Sequence, residues 1–187
     1  MAEPARNRAI YDDLYTIPEN MTGEIIDGDL IVTPRPRRTH VHTASILSSE
    51  LIQPFYFGRG GGPGGWIIYT EPEIELGEHV LVPDLAGWRK ERLSILSESA
   101  SISVPPDWIC EIPSPSTART DKVRKMPIYG EFGVSHIWLV DPLAKTLDAF
   151  RLESGKWLLV GSFAEDDKVR VEPFHEVEIE LGSLWLE

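Results

Sequence analysis

The chain has 187 residues, of which 42% are hydrophobic and 26% are charged, as is typical of a globular protein. Its formal net charge of −12 argues against a function that depends on broad contact with nucleic-acid phosphates, because such proteins usually carry a basic surface. Cys110 is the only cysteine, which excludes an intramolecular disulfide and a zinc site built from cysteines.

The length predicts a single domain over residues 1–187, with a polar N-terminal arm at 1–20, either loose or a short helix, and an extension of strands at 145–187. No apolar stretch approaches the roughly 18 residues of a membrane-spanning helix. The N-terminus also lacks the apolar core of a signal peptide. We therefore expect a cytoplasmic protein with no membrane partner.

The first elements are a hairpin and a helix. "EIIDGDLIV" places two apolar runs around Asp27-Gly28, a dipeptide that accepts the positive φ angles of a tight turn. Apolar residues then recur at helical spacing from about Thr39 to Gln53. The glycine-rich stretch Gly58–Gly65 predicts a flexible loop. A phosphate cradle is disfavoured because the residues that follow have a strand pattern, whereas phosphate-binding loops need a helix N-terminus behind them.

Strands and a second helix follow. "WIIYTEPEIEL", "HVLVPDLAGWR" and "PPDWICEIP" each predict a strand, and Thr117 to Phe132 has helical spacing, with a kink or a late start expected at Pro127. "SHIWLVDP" predicts a buried strand. Shorter strands are predicted at the C-terminus, at Thr146–Arg151, Lys156–Phe163 and Val177–Leu181. This order indicates an α/β fold with a mixed sheet and helices packed on it.

Two of the central strands carry an acid. Asp84 in "VPDLAGW" and Glu111 in "WICEIP" are each expected to end a strand, and one loop joins the two strands. Neighbouring strands would let the carboxylates converge, where repulsion is best relieved by a shared proton or a divalent cation. Ligation by oxygen alone suits Mg²⁺ or Mn²⁺. Taken singly, an acid at a strand end is more often a solvated edge residue.

A lysine on the following helix could complete this site. Asp121, Lys125 and Tyr129 are spaced at i, i+4 and i+8, so one helix places them on one face. Since this helix directly follows the Glu111 strand, Lys125 could reach the carboxylates and orient, or help deprotonate, a water for attack on phosphorus. The simpler alternative is a surface ion pair between Asp121 and Lys125.

These motifs together resemble the Uma-two family. "EIIDGDLIV", "RRTH", "VPDLAGW", "CEIPSPST" and the spaced Asp, Lys and Tyr before "GVSHIWLVDP" carry the resemblance, which covers about residues 15 to 150. The family is described as a group of putative restriction endonucleases within the PD-(D/E)xK nuclease superfamily. The resemblance implies a restriction-endonuclease-like core, ordered helix-strand-strand-strand-helix-strand, around a magnesium-dependent phosphodiesterase site.

The resemblance also implies roles for single residues. Asp84 and Glu111 would ligate the metal, and the carbonyl of Ile112 would be a third ligand. The superfamily pattern places a lysine two residues after the glutamate, where this chain has Pro113. In the family the lysine comes from the next helix instead, at the position of Lys125.

Glu24 and His40 also match family positions, without a role that we can assign. His40 is expected to be a polar residue at a helix start rather than a ligand.

Two functions remain open at this stage. The first is a Mg²⁺-dependent or Mn²⁺-dependent endonuclease acting on DNA, with basic clusters at Arg35–Arg38 and Arg119–Lys125 bordering the site. We expect it to act as a homodimer, because paired active sites suit duplex cleavage. The alternative is a catalytically inactive module that keeps the nuclease fold for dimerisation or partner binding, which the acidic charge and the missing strand lysine favour.

Overall fold

The computed structural model describes residues 8–93 and 100–186. Strands β1 (Met21–Ile26) and β2 (Asp29–Pro34) form the predicted hairpin. Asp27 and Gly28 at its turn have φ angles of 55° and 81°. Two consecutive residues in the left-handed region match the right-handed twist of the flanking strands, so this local prediction is confirmed.

A six-stranded sheet forms the centre of the molecule, in the spatial order β11-β10-β9-β8-β6-β3. Neighbours are antiparallel except β8 and β9, which are parallel and joined by a helical crossover. The six strands are β3 (Trp66–Thr70), β6 (Leu85–Arg89), β8 (Trp108–Glu111), β9 (His136–Asp141), β10 (Thr146–Glu153) and β11 (Lys156–Ala164).

A second sheet has five strands, in the order β2-β1-β5-β4-β7. A short pair, β12 with β13, completes the strands of the described residues. The strands not yet given bounds are β4 (Glu73–Leu76), β5 (His79–Leu81), β7 (Ser101–Ile102), β12 (Lys168–Val169) and β13 (Ile179–Glu180).

Two predicted strands are each divided between the sheets, so the prediction of continuous strands was wrong. The chain leaves β3 at Glu71, whose φ is 47°, and Pro72 follows before β4 begins. It leaves β5 after Leu81 and crosses through Pro83 before β6 begins. Proline supplies no donor to a ladder, and a residue with positive φ turns the chain, so these positions end one pairing and start another.

Both helical regions depart from regular α-geometry near a proline. Helix α1 (Arg38–Leu51) continues into a π-helical turn, Ile52–Tyr56, that contains Pro54. Helices α2 (Ala118–Thr120) and α3 (Met126–Glu131) enclose a π-helical segment, Asp121–Lys125, just before Pro127. Proline removes one helical donor and crowds the preceding turn, and the wider turn accommodates it. The kink or late start predicted at Pro127 takes this form, because α3 begins at Met126 and has Pro127 in its first turn.

The chain ends are less regular than their patterns suggested. Tyr11–Thr16 forms a 3₁₀ helix within the predicted polar arm, of which residues 1–7 lie outside the described residues. The predicted strand Val177–Leu181 is shortened to β13, because Leu181 begins the 3₁₀ helix Leu181–Leu184, which buries Leu181 and Leu184. None of the helices in the described residues is long and apolar enough to cross a membrane.

The core lies on both faces of the central sheet. Alternate residues of β8 point to opposite sides: Trp108 and Cys110 join the cluster under α1, whereas Ile109 joins the cluster under α3. Phe174 fills the first cluster, with its ring centroid 4.9 Å from that of Trp108. Glu111 follows in the same alternation as Ile109, which directs its side chain towards the crossover helices.

Candidate active site

The two predicted acids lie at the same end of two neighbouring strands of the central sheet. Strands β6 and β8 are antiparallel neighbours with Leu85 paired to Cys110. The residue before Leu85 is Asp84, and the residue after Cys110 is Glu111. Asp84 therefore begins its strand instead of ending it, which corrects the sequence expectation, and the antiparallel pairing still places both acids together. Both line a cleft of about 690 Å³.

Asp84 is held by two hydrogen bonds. Its Oδ1 lies 2.7 Å from Nε2 of His40, and its Oδ2 accepts the N–H of Ile112 at 2.6 Å. Burial lowers the pKa of His40, but the hydrogen bond and charge of Asp84 raise it by more, so the net pKa lies above the ordinary value. His40 is thus more than a polar residue at a helix start, because it orients the Asp84 carboxylate.

Lys125 points into the protein towards carboxylates. It is 2% exposed, and its Nζ lies 2.8 Å from Oε1 of Glu24, 2.8 Å from Oε1 of Glu111 and 3.8 Å from Oδ1 of Asp121. Burial lowers the pKa of Lys125, but these carboxylates raise it well above its ordinary value. Lys125 is therefore an ammonium at neutral pH. This favours the orienting role over proton abstraction, since a general base needs a pKa near the working pH.

Glu111 is also buried and shares its Oε1 between two partners. The hydroxyl of Tyr129 donates to this oxygen at 2.7 Å, and Lys125 contacts the same atom. Burial raises the pKa of Glu111 well above its ordinary value, although the charge of Lys125 opposes the rise. Burial likewise raises the pKa of Asp121 to about 6. The cluster thus holds more acid than its one lysine balances, a condition that a bound cation would relieve.

Glu24 is a site residue to which sequence reasoning gave no role. It lies on β1 of the other sheet, where its Oε1 accepts the N–H of Val82 at 2.8 Å and contacts Lys125. The signal was an acid beside Ile25 and Ile26, which are both buried. A carboxylate in such a run must have a partner, and it could have been paired with the lysine on that ground.

The two predicted basic clusters differ in whether their arginines face the cleft. Arg35, Arg37 and Arg38 are exposed and line the cleft. Arg124 is instead held by the hairpin, with one guanidinium nitrogen 2.7 Å from the carbonyl oxygen of Ile26 and within ion-pair distance of Asp27 and Asp29. The arginines of the connector before α1 and of its first residue, rather than the whole of Arg119–Lys125, supply the exposed positive charge at the cleft.

The donor set fits a hard divalent cation. Residues 8–93 and 100–186 contain no group of three or more His, Cys, Asp or Glu side chains arranged to hold a metal. Magnesium does not require one, because it keeps several waters and is often bound through one or two carboxylates. Asp84, Glu111 and Ile112 all line the cleft and offer carboxylate and carbonyl oxygens, which are the ligand types that Mg²⁺ and Mn²⁺ prefer.

The core elements follow the order helix-strand-strand-strand-helix-strand, from α1 through β3, β6, β8 and the crossover helices to β9. This order defines a restriction-endonuclease-like α/β fold. The family model Uma2, described as "Putative restriction endonuclease", matches residues 10–182, and the chain belongs to this family.

One similar solved structure is described as a putative nuclease belonging to DUF820 from Anabaena variabilis. It shares 23% sequence identity, with coverage of 95% of this chain and 97% of that chain, and superposes with a TM-score of 0.76. At this identity the likeness shows a shared fold. No curated protein sequence matches the chain.

Proposed function

We propose that this protein is a divalent-metal-dependent endonuclease that hydrolyses phosphodiester bonds in DNA. Asp84, Glu111 and the carbonyl of Ile112 are the proposed ligands of Mg²⁺ or Mn²⁺, and Lys125 is the proposed catalytic amine. The observation that carries the proposal is that Asp84, Glu111 and Lys125, from three separate segments, line one cleft. Membership of the restriction-endonuclease family supports it.

The cation would supply positive charge that offsets the negative charge developing on the phosphate and the leaving oxygen. The protein groups are fixed beforehand. His40 and the N–H of Ile112 hold the Asp84 carboxylate, while Tyr129 holds Glu111. The N–H groups of Lys125 point to Glu24, Glu111 and the carbonyl of Val82, so its ammonium would donate to the attacking water or to a phosphate oxygen by exchanging one of these contacts. Groups held in place in this way need no rearrangement as the reaction proceeds.

The net charge of −12 is compatible with this function if binding is local. Arg35, Arg37 and Arg38 lie at the cleft, whereas nonspecific binding would need positive charge spread along a surface. We therefore expect DNA binding that is modest, with a slope of log affinity against log salt no steeper than about −3, as three phosphate contacts would give.

Cleavage assays test the proposal. Supercoiled plasmid and single-stranded DNA are incubated with Mg²⁺ or Mn²⁺ and with the wild-type protein, the Asp84→Asn variant or the Asp166→Asn variant. Asp166 is exposed and does not line the cleft, so its substitution is a control for the same chemical change. Asp84→Asn should lower cleavage about 100-fold or more, because even outer-shell changes at metal sites cost about 10–100-fold. Equal activity, or equal inactivity, of the three proteins would refute the proposal.

The inactive nuclease-fold module remains the second candidate. It is favoured by Pro113 at the position of the strand lysine and by protein partners on Asp84 and Glu111. Calorimetric titration with Mn²⁺ separates the two candidates. An active centre should bind Mn²⁺ in the wild type and lose that binding in Glu111→Gln, with Glu50→Gln as an exposed control. An abandoned centre should show no binding that depends on Glu111.

A homodimer stays a prediction. Symmetric pairs are the commonest oligomers, and a nuclease of duplex DNA gains from two sites. Strand β11 lies at one edge of the central sheet, with Leu158 44% and Leu159 51% exposed, and an exposed apolar edge favours pairing with another chain. Sedimentation velocity should show a dimer that dissociates when both leucines are replaced by lysine. A monomeric wild type would contradict the prediction.

A further inference from the structure

A second cavity of about 480 Å³ adjoins the main cleft along helix α1. We call it the α1 lobe; it is lined by Val41, Ala44, Ser45, Ser48 and Thr70. The lobe and the main cleft have five lining residues in common, namely Arg35, Pro36, His40, Glu71 and Asp84. Asp84, a proposed metal ligand, therefore lies at the junction of two spaces.

We infer that the α1 lobe binds the nucleotide on one side of the scissile bond, while the main cleft binds the strand on the other side. This inference rests on the proposed function, which requires the reacting phosphate to lie beside Asp84. A phosphate inside a polymer is followed by chain in both directions, so an internal bond needs space on both sides of Asp84. The α1 lobe supplies the second space, and its volume is within the roughly 300–1,000 Å³ of sites for small organic ligands.

The lining of the lobe suits a nucleotide. Val41 is 48% exposed, and this apolar side chain on the helix surface can pack against a sugar or a base. The Ser45 hydroxyl donates to the carbonyl of Val41 at 2.7 Å, so its oxygen remains available as an acceptor. Thr70, at the end of β3, also lines the lobe and adds a further hydroxyl.

Arg35 is the group expected to hold a phosphate at the junction. It lines both spaces and is exposed, and one of its guanidinium nitrogens donates to the carbonyl of Glu19 at 3.2 Å. A guanidinium has five N–H donors, so the others are available to a phosphate. Glu71 lines both spaces as well, and its carboxylate would repel a phosphate. The phosphates are therefore expected on the Arg35 side of the junction.

Filling the lobe tests the inference without relying on catalysis. Ser45→Trp places a large ring in the lobe from an exposed helix position, and Ser183→Trp makes the same change at an exposed serine that lines neither space. Both are made in an Asp84→Asn background, which prevents cleavage. Binding of a fluorescein-labelled oligonucleotide of about ten residues is followed by anisotropy, with DNA and RNA versions in separate arms. Thermal unfolding confirms that each variant is folded.

Ser45→Trp should weaken binding about tenfold or more, whereas Ser183→Trp should bind within about twofold of its parent. Arg35→Ala should lower the slope of log affinity against log salt by about 0.7, as expected for one contact with a single-stranded phosphate. Stronger binding in one arm identifies DNA or RNA as the better ligand. Equal binding by the two tryptophan variants, or no binding by the parent, would overturn the inference.

The outcomes separate this inference from the proposed function. If Ser45→Trp weakens binding but the wild type cleaves no substrate, the lobe binds a nucleotide without a scissile bond beside it, and the nuclease proposal falls. If the wild type cleaves DNA and Ser45→Trp, with Asp84 restored, binds and cleaves as well as the wild type, the nuclease proposal stands and the lobe falls.

Discussion

Replacing Lys125 by methionine is expected to destabilise the fold strongly. The Nζ of Lys125 lies 2.8 Å from both Glu24 and Glu111 and 3.8 Å from Asp121, and all four side chains are buried. Methionine fills much of the same space but leaves the acids without their cation. Removing one partner of a buried ion pair typically costs about 3–5 kcal/mol, because the remaining charge is left uncompensated. With a urea m value of about 2 kcal/mol per M, the unfolding midpoint should fall by roughly 1.5–2.5 M.

The loss should depend on pH with a defined sign. Burial already raises the pKa of Glu111 well above its ordinary value, and it raises the pKa of Asp121 to about 6. When a carboxyl group has a higher pKa in the folded than in the unfolded protein, the protein loses stability as pH rises through the folded-state pKa. Without the ammonium of Lys125 both pKa values rise further. Lys125→Met should therefore be less destabilised at pH 5 than at pH 8.

Urea unfolding followed by tryptophan fluorescence measures this effect at both pH values, in EDTA. Lys122→Met is the matched control, because Lys122 is exposed on the same helical segment and its loss should change the free energy of unfolding by no more than about 0.5 kcal/mol. A Lys125→Met variant within about 1 kcal/mol of the wild type at pH 8 would refute the reasoning. A loss that is larger at pH 5 than at pH 8 would refute the assignment of charges.

Two further predictions concern the same cluster. Tyr129→Phe removes the hydroxyl that donates to Glu111 at 2.7 Å; it should lower the free energy of unfolding by about 1–3 kcal/mol, measured by urea unfolding, and an unchanged midpoint would contradict the contact. Asp121→Asn removes a carboxyl group whose pKa is raised from the ordinary 3.8 to about 6. Because this group makes the wild type lose stability as pH rises, the stability of the variant relative to the wild type should increase by up to about 3 kcal/mol from pH 4 to pH 7. A relative stability that does not change with pH would show that Asp121 titrates normally.

Local patterns allowed several elements to be predicted. The Asp27-Gly28 turn was evident because few dipeptides accept two positive φ angles in succession. The place of Glu111 after an apolar run that ends at Pro113 indicated a buried strand end. Helix α1 followed from its spacing, although the π-helical turn at Pro54 extends the helical region beyond the predicted end.

Other features depend on contacts between distant segments. Pro83 is a local signal for a break in pairing, but nothing local shows that β5 and β6, on either side of it, belong to different sheets. The link between Glu24 and Lys125 joins a strand of the second sheet to the crossover helices, and the two residues are 101 positions apart in the sequence. Arg124, adjacent to Lys125 in sequence, faces the hairpin instead of the cleft. Such contacts can be assigned only when the packing of whole helices and strands is known.

The central claim is that Asp84 and Glu111 hold a divalent cation in this cleft. Anomalous diffraction from crystals grown with Mn²⁺ tests it most directly, with an Asp84→Asn crystal as the control. The account predicts one strong anomalous peak bonded to Asp84, Glu111 and the carbonyl of Ile112 in the wild type, and no peak there in the variant. A wild-type map without a peak at these oxygens under saturating Mn²⁺ would contradict the account.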